Sequence, residues 1–153
     1  MEELETKKYA GIDLGRTSVQ FSIYREGQEE MTEESFLLSE EEQKEYIESG
    51  MRQVERYMET GGLRWPDFQA VHFSMEDASE ENRSKLKSAV SEELRKLHGV
   101  KVITHFRAFA EYVFHQERIM WDRNTLLLDY HDNKLSYCLL YTSDAADEAR
   151  SVD

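Results

Sequence analysis

The residues of this 153-residue chain best placed to do chemistry stand in one short run, YAGIDLGRTSVQFSIYR, from Tyr9 to Arg25. Two apolar stretches, Tyr9 to Asp13 and Ser18 to Arg25, are parted by Leu14, Gly15, Arg16 and Thr17. A hairpin needs a turn, and Asn-Gly would serve, so Asp13 and Thr17 are not demanded by the bend alone. A carboxylate at a strand end can hold a hydrated Mg²⁺, a glycine lets backbone amides approach an anion, and a hydroxyl adds a donor. A plain turn aspartate is the alternative reading of Asp13. Farther on, Glu76 and Asp77 follow the apolar run AVHFSM. There a carboxylate could position a water or act as a base, or serve simply as a loop acid ahead of a helix.

Other chemistries have less to stand on. His72, His98, His105, His115 and His131 show no HxxxH or HExxH spacing, which argues against a zinc site. Cys138 is the single cysteine, so the chain builds neither an internal disulfide nor a cysteine-rich metal site. Trp65 and Trp121 read as packing or edge residues rather than ligand stackers. The net charge of −13 repels nucleic acid and anionic membranes before contact, so neither is an expected partner. No apolar run approaches the roughly 20 residues that span a bilayer. The charged opening MEELETKKYAG is unlike a secretory leader, and the expected compartment is the cytoplasm.

The elements that must hold these residues follow from periodicity. Hydrophobic residues make up 39 % of the chain, enough for one domain with a real core. Val19, Phe21 and Ile23 alternate with Gln20, Ser22 and Tyr24, the mark of a half-buried strand. SFLL, Ser35 to Leu38, predicts a third strand. Ser39 with Glu42 forms a capping-box pattern opening a helix in which Ile47, Met51, Val54 and Met58 recur, ended by Gly61-Gly62. Gly50 inside it costs about 1 kcal/mol against alanine, so this helix depends on packing. Ala70 to Met75 reads as a buried strand, and Leu86, Val90, Leu94 and Leu97 stripe one helix closed by His98-Gly99. Val100 to His105 is a strand, and FRAFAEYVFHQ a largely buried helix. Thr125 to His131 is a strand leading through an Asp132-Asn133 turn into KLSY. The order β-β-β-α-β-α-β-α, then a fresh hairpin, predicts an α/β domain with a mixed sheet covered by helices.

That order, together with GIDLGRTSV, resembles the actin, sugar-kinase and heat-shock-chaperone ATPase superfamily, whose lobes are ribonuclease-H-like. The resemblance covers residues 8 to 137. It implies that Asp13, Gly15 and Thr17, with Arg16 and Ser18 beside them, form the phosphate-1 hairpin, Asp13 reaching Mg²⁺ through water. It implies ATP or ADP with Mg²⁺ as cofactor. VHFSMEDASEENRSKLKSAV and ITHFRAFAEYVFHQ are similar to the chaperone branch's following stretches. TLLLDYHDNKLSY falls where phosphate-2 belongs, which makes Asp129 a cofactor-side and metal-side candidate. Departures are plain: Arg16 stands where chaperones carry a small hydroxyl residue, and Tyr130 and His131 replace a glycine-rich run after Asp129.

The expected organisation is an actin-type first lobe over 8–119, the start of a second lobe over 120–137, and a tail over 138–153. The boundary is read from Gln116 to Asn124. The tail CLLYTSDAADEARSVD resembles a translated sequencing adapter, in which case the native sequence stops being legible near Tyr137 and the chain is the front of a longer protein. The expected function is a nucleotide-phosphate-binding lobe of an actin-like ATPase that hydrolyses nothing alone. A non-catalytic regulatory or scaffold module of the same fold, acting on a protein partner, is the second reading. The third is a ribonuclease-H-like nuclease with Asp13 and Glu76 in a two-metal cluster, disfavoured by the charge and by the lack of a basic stripe.

Overall fold

Alternating burial folds the opening run into a hairpin of β1 (Lys8–Leu14) and β2 (Ser18–Arg25). Its register pairs Leu14 with Val19, Ile12 with Phe21 and Ala10 with Ile23, so one face of both strands is apolar. The computed structural model describes residues 6–114, 125–131, 134–140 and 149–152, and forms two units, Met1–Ile103 and Thr104–Asp153. The boundary expected at residues 116–124, with Trp121, and the Asp132-Asn133 turn lie outside the described residues, as does His115.

In the first unit β3 (Thr32–Leu37) flanks β2, while β4 (Phe68–Met75) runs parallel to β1 on its other side. β5 (Val100–Thr104) completes a mixed sheet of order β3-β2-β1-β4-β5. This is the ribonuclease-H-like, actin-type core that the element order predicts. Val71, Phe73 and Met75 continue the apolar face begun by Ile12, Leu14, Val19 and Phe21, all buried. Each such side chain contributes about 1.5–3 kcal/mol by leaving water.

Helix α2 (Tyr46–Thr60) lays Ile47, Met51, Val54 and Met58 on that face. Gly50 faces β1 so closely that a Cβ there would stand 2.8 Å from Leu14 Cδ2. The missing side chain is what seats α2 over the end of the hairpin. The single helix expected from Ser39 is in fact two. A capped turn α1 (Glu40–Gln43) precedes a break at Glu45, with φ −127° and ψ 61°. The reason is compositional: Glu40 to Glu45 has no apolar side chain to hold it on the core, and α1 buries none.

The second expected helix also divides, into α3 (Glu80–Ala89) and α4 (Glu92–Arg95). Val90 and Ser91 are extended, with ψ of 153° and 161°, and the Ser91 N–H donates to Glu55 Oε1 at 3.2 Å. The break keeps Leu86, Val90 and Leu94 all buried.

The second unit contains α5 (His105–Phe114) and the antiparallel strands β6 (Thr125–His131), β7 (Lys134–Leu140) and β8 (Ala149–Val152). Phe106 and Ala110 of α5 pack with Leu127 of β6. The helix is buried along one stripe rather than all round, because Tyr112 is 62 % exposed.

Candidate functional site

Asp13 is the last polar residue of the central strand and points away from the apolar face that Ile12 and Leu14 occupy. Its cross-strand neighbours are Gln20 on β2 and Ser74 on β4. The Ser74 hydroxyl donates to Asp13 Oδ1 at 2.8 Å, fixing the half-buried carboxylate at the strand end. Ser74 was not singled out by sequence. The available signal was a hydroxyl alternating with Val71, Phe73 and Met75 in an apolar run.

The bend itself is held at three points. The Gly15 N–H donates to the Ser18 carbonyl at 3.0 Å, and the Leu38 N–H donates to the Thr17 carbonyl at 2.9 Å. Gly15 is buried beneath the turn, Arg16 and Thr17 are exposed, and Ser18 is half-buried. The third restraint is an ion pair, Arg16 Nε to Glu76 Oε2 at 2.9 Å, which joins the bend to the loop after β4. The structure therefore brings Asp13, Gly15, Arg16, Thr17, Ser18 and Glu76 to one end of the sheet. Asp77 lies in the turn that follows. Its Oδ1 accepts from the Ser79 N–H at 3.1 Å and its carbonyl from Asn82 Nδ2 at 2.8 Å, so it shapes the turn into α3.

In the second unit Asp129 lies in the β6–β7 hairpin opposite Ser136. His105, at the start of α5, places Nε2 3.0 Å from Asp129 Oδ2. Sequence reading missed this partnership, since no motif spacing links the two residues.

The donor set near Asp13 is one carboxylate with neighbouring hydroxyls. That donor set would suit a magnesium ion that keeps most of its waters. Among the described residues no three His, Cys, Asp or Glu side chains converge as a metal-binding group. Glu76, the second carboxylate of the nuclease reading, is engaged by Arg16. Among the described residues no helix is long and apolar enough to cross a membrane.

Sheet order and helix placement define the class as an actin-type, ribonuclease-H-like α/β fold. The chain belongs to a family of unknown function (DUF5716), matching its C-terminal part over residues 22–150. That match begins after the Asp13–Ser18 bend and runs through most of the 138–153 tail. No curated protein matches the chain. Among solved structures, it is similar to the ethanolamine utilization protein EutJ from Carboxydothermus hydrogenoformans. That likeness has 11 % identity and TM-score 0.63, over 99 % of this chain and 53 % of that one. A putative N-acetylglucosamine kinase from Porphyromonas gingivalis aligns at 15 % identity and TM-score 0.60, over 96 % and 47 % of the two chains. The activator of 2-hydroxyisocaproyl-CoA dehydratase from Clostridium difficile, solved with bound ADPNP, gives 16 % and 0.57 over 97 % and 46 %. The chain spans about half the length of the solved structures it resembles. At these identities the likeness is one of fold.

Proposed function

We propose that the first unit is the phosphate-binding half of a nucleotide site. In it Asp13 holds Mg²⁺ through water, and the bend Gly15-Arg16-Thr17-Ser18 faces the phosphates of ATP or ADP. The observation that carries this reading is the Asp13 carboxylate, anchored by Ser74 at the end of the central strand beside a bend pinned on both sides. Phosphoryl transfer depends mostly on positioning and charge neutralisation, and a restrained carboxylate and backbone turn supply one side of both. Bound Mg²⁺ would neutralise phosphate charge. Ser74 orients the carboxylate, and the Leu38 and Ser18 contacts hold the backbone against reorganisation when phosphate arrives. For Asp129 the proposal is a phosphate-side carboxylate of its own hairpin, oriented by His105.

The chain as given supplies one lobe of a longer protein, on this reading, and hydrolyses nothing by itself. The outward side of β6 supports that view. Leu126 and Leu128 are more than half exposed and Tyr130 is 71 % exposed, an apolar face of the kind that marks an interaction surface. The domain reading remains a first lobe over 8–119 and the start of a second over 120–137. We read residues 138–153 as translated adapter sequence. Resequencing the genomic locus across codon 138 tests this, and unchanged codons there would refute it.

Isothermal titration of the gene product with Mg-ATP tests the site. Saturable heat that requires Mg²⁺ and falls at least tenfold in affinity in Asp13→Ala is expected. No heat, or heat indifferent to Asp13, refutes it. A second reading, a non-catalytic regulatory or scaffold module of the same fold that works through a protein partner, is favoured by Tyr130 and His131. They stand where a close backbone approach to phosphate asks for glycine. Turnover of ATP by the complete protein well above background would dismiss this second reading.

A further inference from the structure

The two edges of the first unit's sheet differ in charge. On β3, Glu33 and Glu34 are exposed. Strand register places Glu34 opposite Phe21, hence on the helix-bearing side, and Glu33 opposite Ser22, on the other side. Phe36 shares the helix side with Glu34, and its ring lies 5.7 Å from that of Tyr57, both half-buried.

The β5 edge is the converse. On the helix side, α3 and α4 leave an apolar groove of about 260 Å³ against Phe73, Val100 and Val102, bordered by Arg83, Lys87 and Arg95. The Arg83 guanidinium donates to the Ala78 and Val102 carbonyls, and that of Arg95 to the Lys87 and Ser88 carbonyls. Backbone carbonyls fix these side chains without cancelling their charge, and none of the three cations has a carboxylate partner among the described residues. Lys101, exposed, lies on the opposite side of β5 from Val100 and Val102. In a chain of net charge −13 this is a local reversal of sign.

We propose that this edge receives the β3 edge of a second copy of the chain, head to tail, so that the sheet continues from one molecule into the next, the Arg83 guanidinium releasing the outward-facing Val102 carbonyl to the incoming strand. The charges select this pairing. Two β3 edges would set Glu33 and Glu34 against their own kind, and two β5 edges would oppose lysines and arginines. Only the unlike pair matches on both sides of the sheet. Glu34 with Phe36 and Tyr57 meets the groove and its cationic border, and Glu33 meets Lys101. Such a contact is heterologous, leaving a free edge of each type for a further copy. The groove is smaller than the roughly 300–1,000 Å³ of a drug-sized ligand site, which suits anchoring side chains rather than a whole small molecule. The proposal is independent of nucleotide binding.

Sedimentation velocity of the 153-residue chain over a wide concentration range, at low and high salt, tests it. Association that grows with concentration and weakens with salt is expected. The double variants Glu33→Lys with Glu34→Lys, and Lys87→Glu with Lys101→Glu, should each lose about tenfold or more in association. An equimolar mixture of the two variants should recover it, because each supplies the edge the other needs. These four side chains make no hydrogen bond or ion pair among the described residues, so both variants should melt as the wild type does. A wild type that stays monomeric at every concentration overturns the proposal. So does association that both variants leave unchanged, or variants that fail to complement one another.

Discussion

Asp13 and Ser74 are far apart in sequence, yet they are nearest neighbours across the parallel β1–β4 pair. Sequence made Asp13 conspicuous, since an acid interrupts an apolar run beside a glycine. It did not reveal Ser74, because a parallel partner comes from another segment and no local pattern names it. The same holds for His105 and Asp129. Asp77, which the sequence offers either as an acid that positions water or as a loop acid ahead of a helix, bonds to Ser79 and Asn82 within the turn into α3. Removing the Ser74 hydroxyl by Ser74→Ala should cost about 1 kcal/mol of stability, the usual net worth of such a hydrogen bond. Mg-nucleotide affinity should fall several-fold, since the carboxylate loses its orienting donor. Titration calorimetry and thermal melts on the same variant measure both. An unchanged affinity would mean that Asp13 is held well enough without Ser74.

Element by element, strand order and the apolar faces were legible because alternation over six or more residues leaves few other readings. The helix breaks at Glu45 and at Val90-Ser91 were not. Both follow from which side chains find room in the core, a matter of packing rather than periodicity. Gly50 illustrates the point: by propensity it is a weakness, whereas in the fold it is the contact surface of α2 on Leu14 and Val19. Gly50→Ala gains up to about 1 kcal/mol in helix propensity. It must also displace the buried Leu14, and overpacking of this kind costs roughly 1–3 kcal/mol. Net destabilisation is expected in urea unfolding, and a stabilised variant would contradict the close packing.

The capped turn α1 makes a pH prediction. The Ser39 N–H donates to Glu42 Oε1 at 3.0 Å and Gln53 Nε2 donates to Oε2 at 3.1 Å. These bonds, with that from the Ser39 backbone foremost, hold the Glu42 carboxyl below its ordinary range. A carboxyl whose pKa is lowered by folding contributes stability that is complete above its unfolded value. That contribution is lost as pH falls through the folded one. Glu42→Gln should therefore flatten part of the acid limb of the stability profile, read by melts from neutral to acidic pH. Superimposable acid limbs would exclude the cap as a contributor.

For the whole molecule, the excess of acids over bases discourages nucleic acid at long range. The mixed-sheet class was readable from element order alone, since three antiparallel strands followed by alternating helices and strands admit few arrangements. What the site binds was not readable, because fold does not fix function. The most direct measurement is an amide-resolved NMR titration of the ¹⁵N-labelled chain with Mg-ADP and Mg-ATP, carried to millimolar ligand. The account predicts that the amides of Gly15, Arg16, Thr17 and Ser18 move first and farthest, and that Asp13→Ala abolishes their movement. Stationary amides in that bend, or shifts confined to other surfaces, would contradict it.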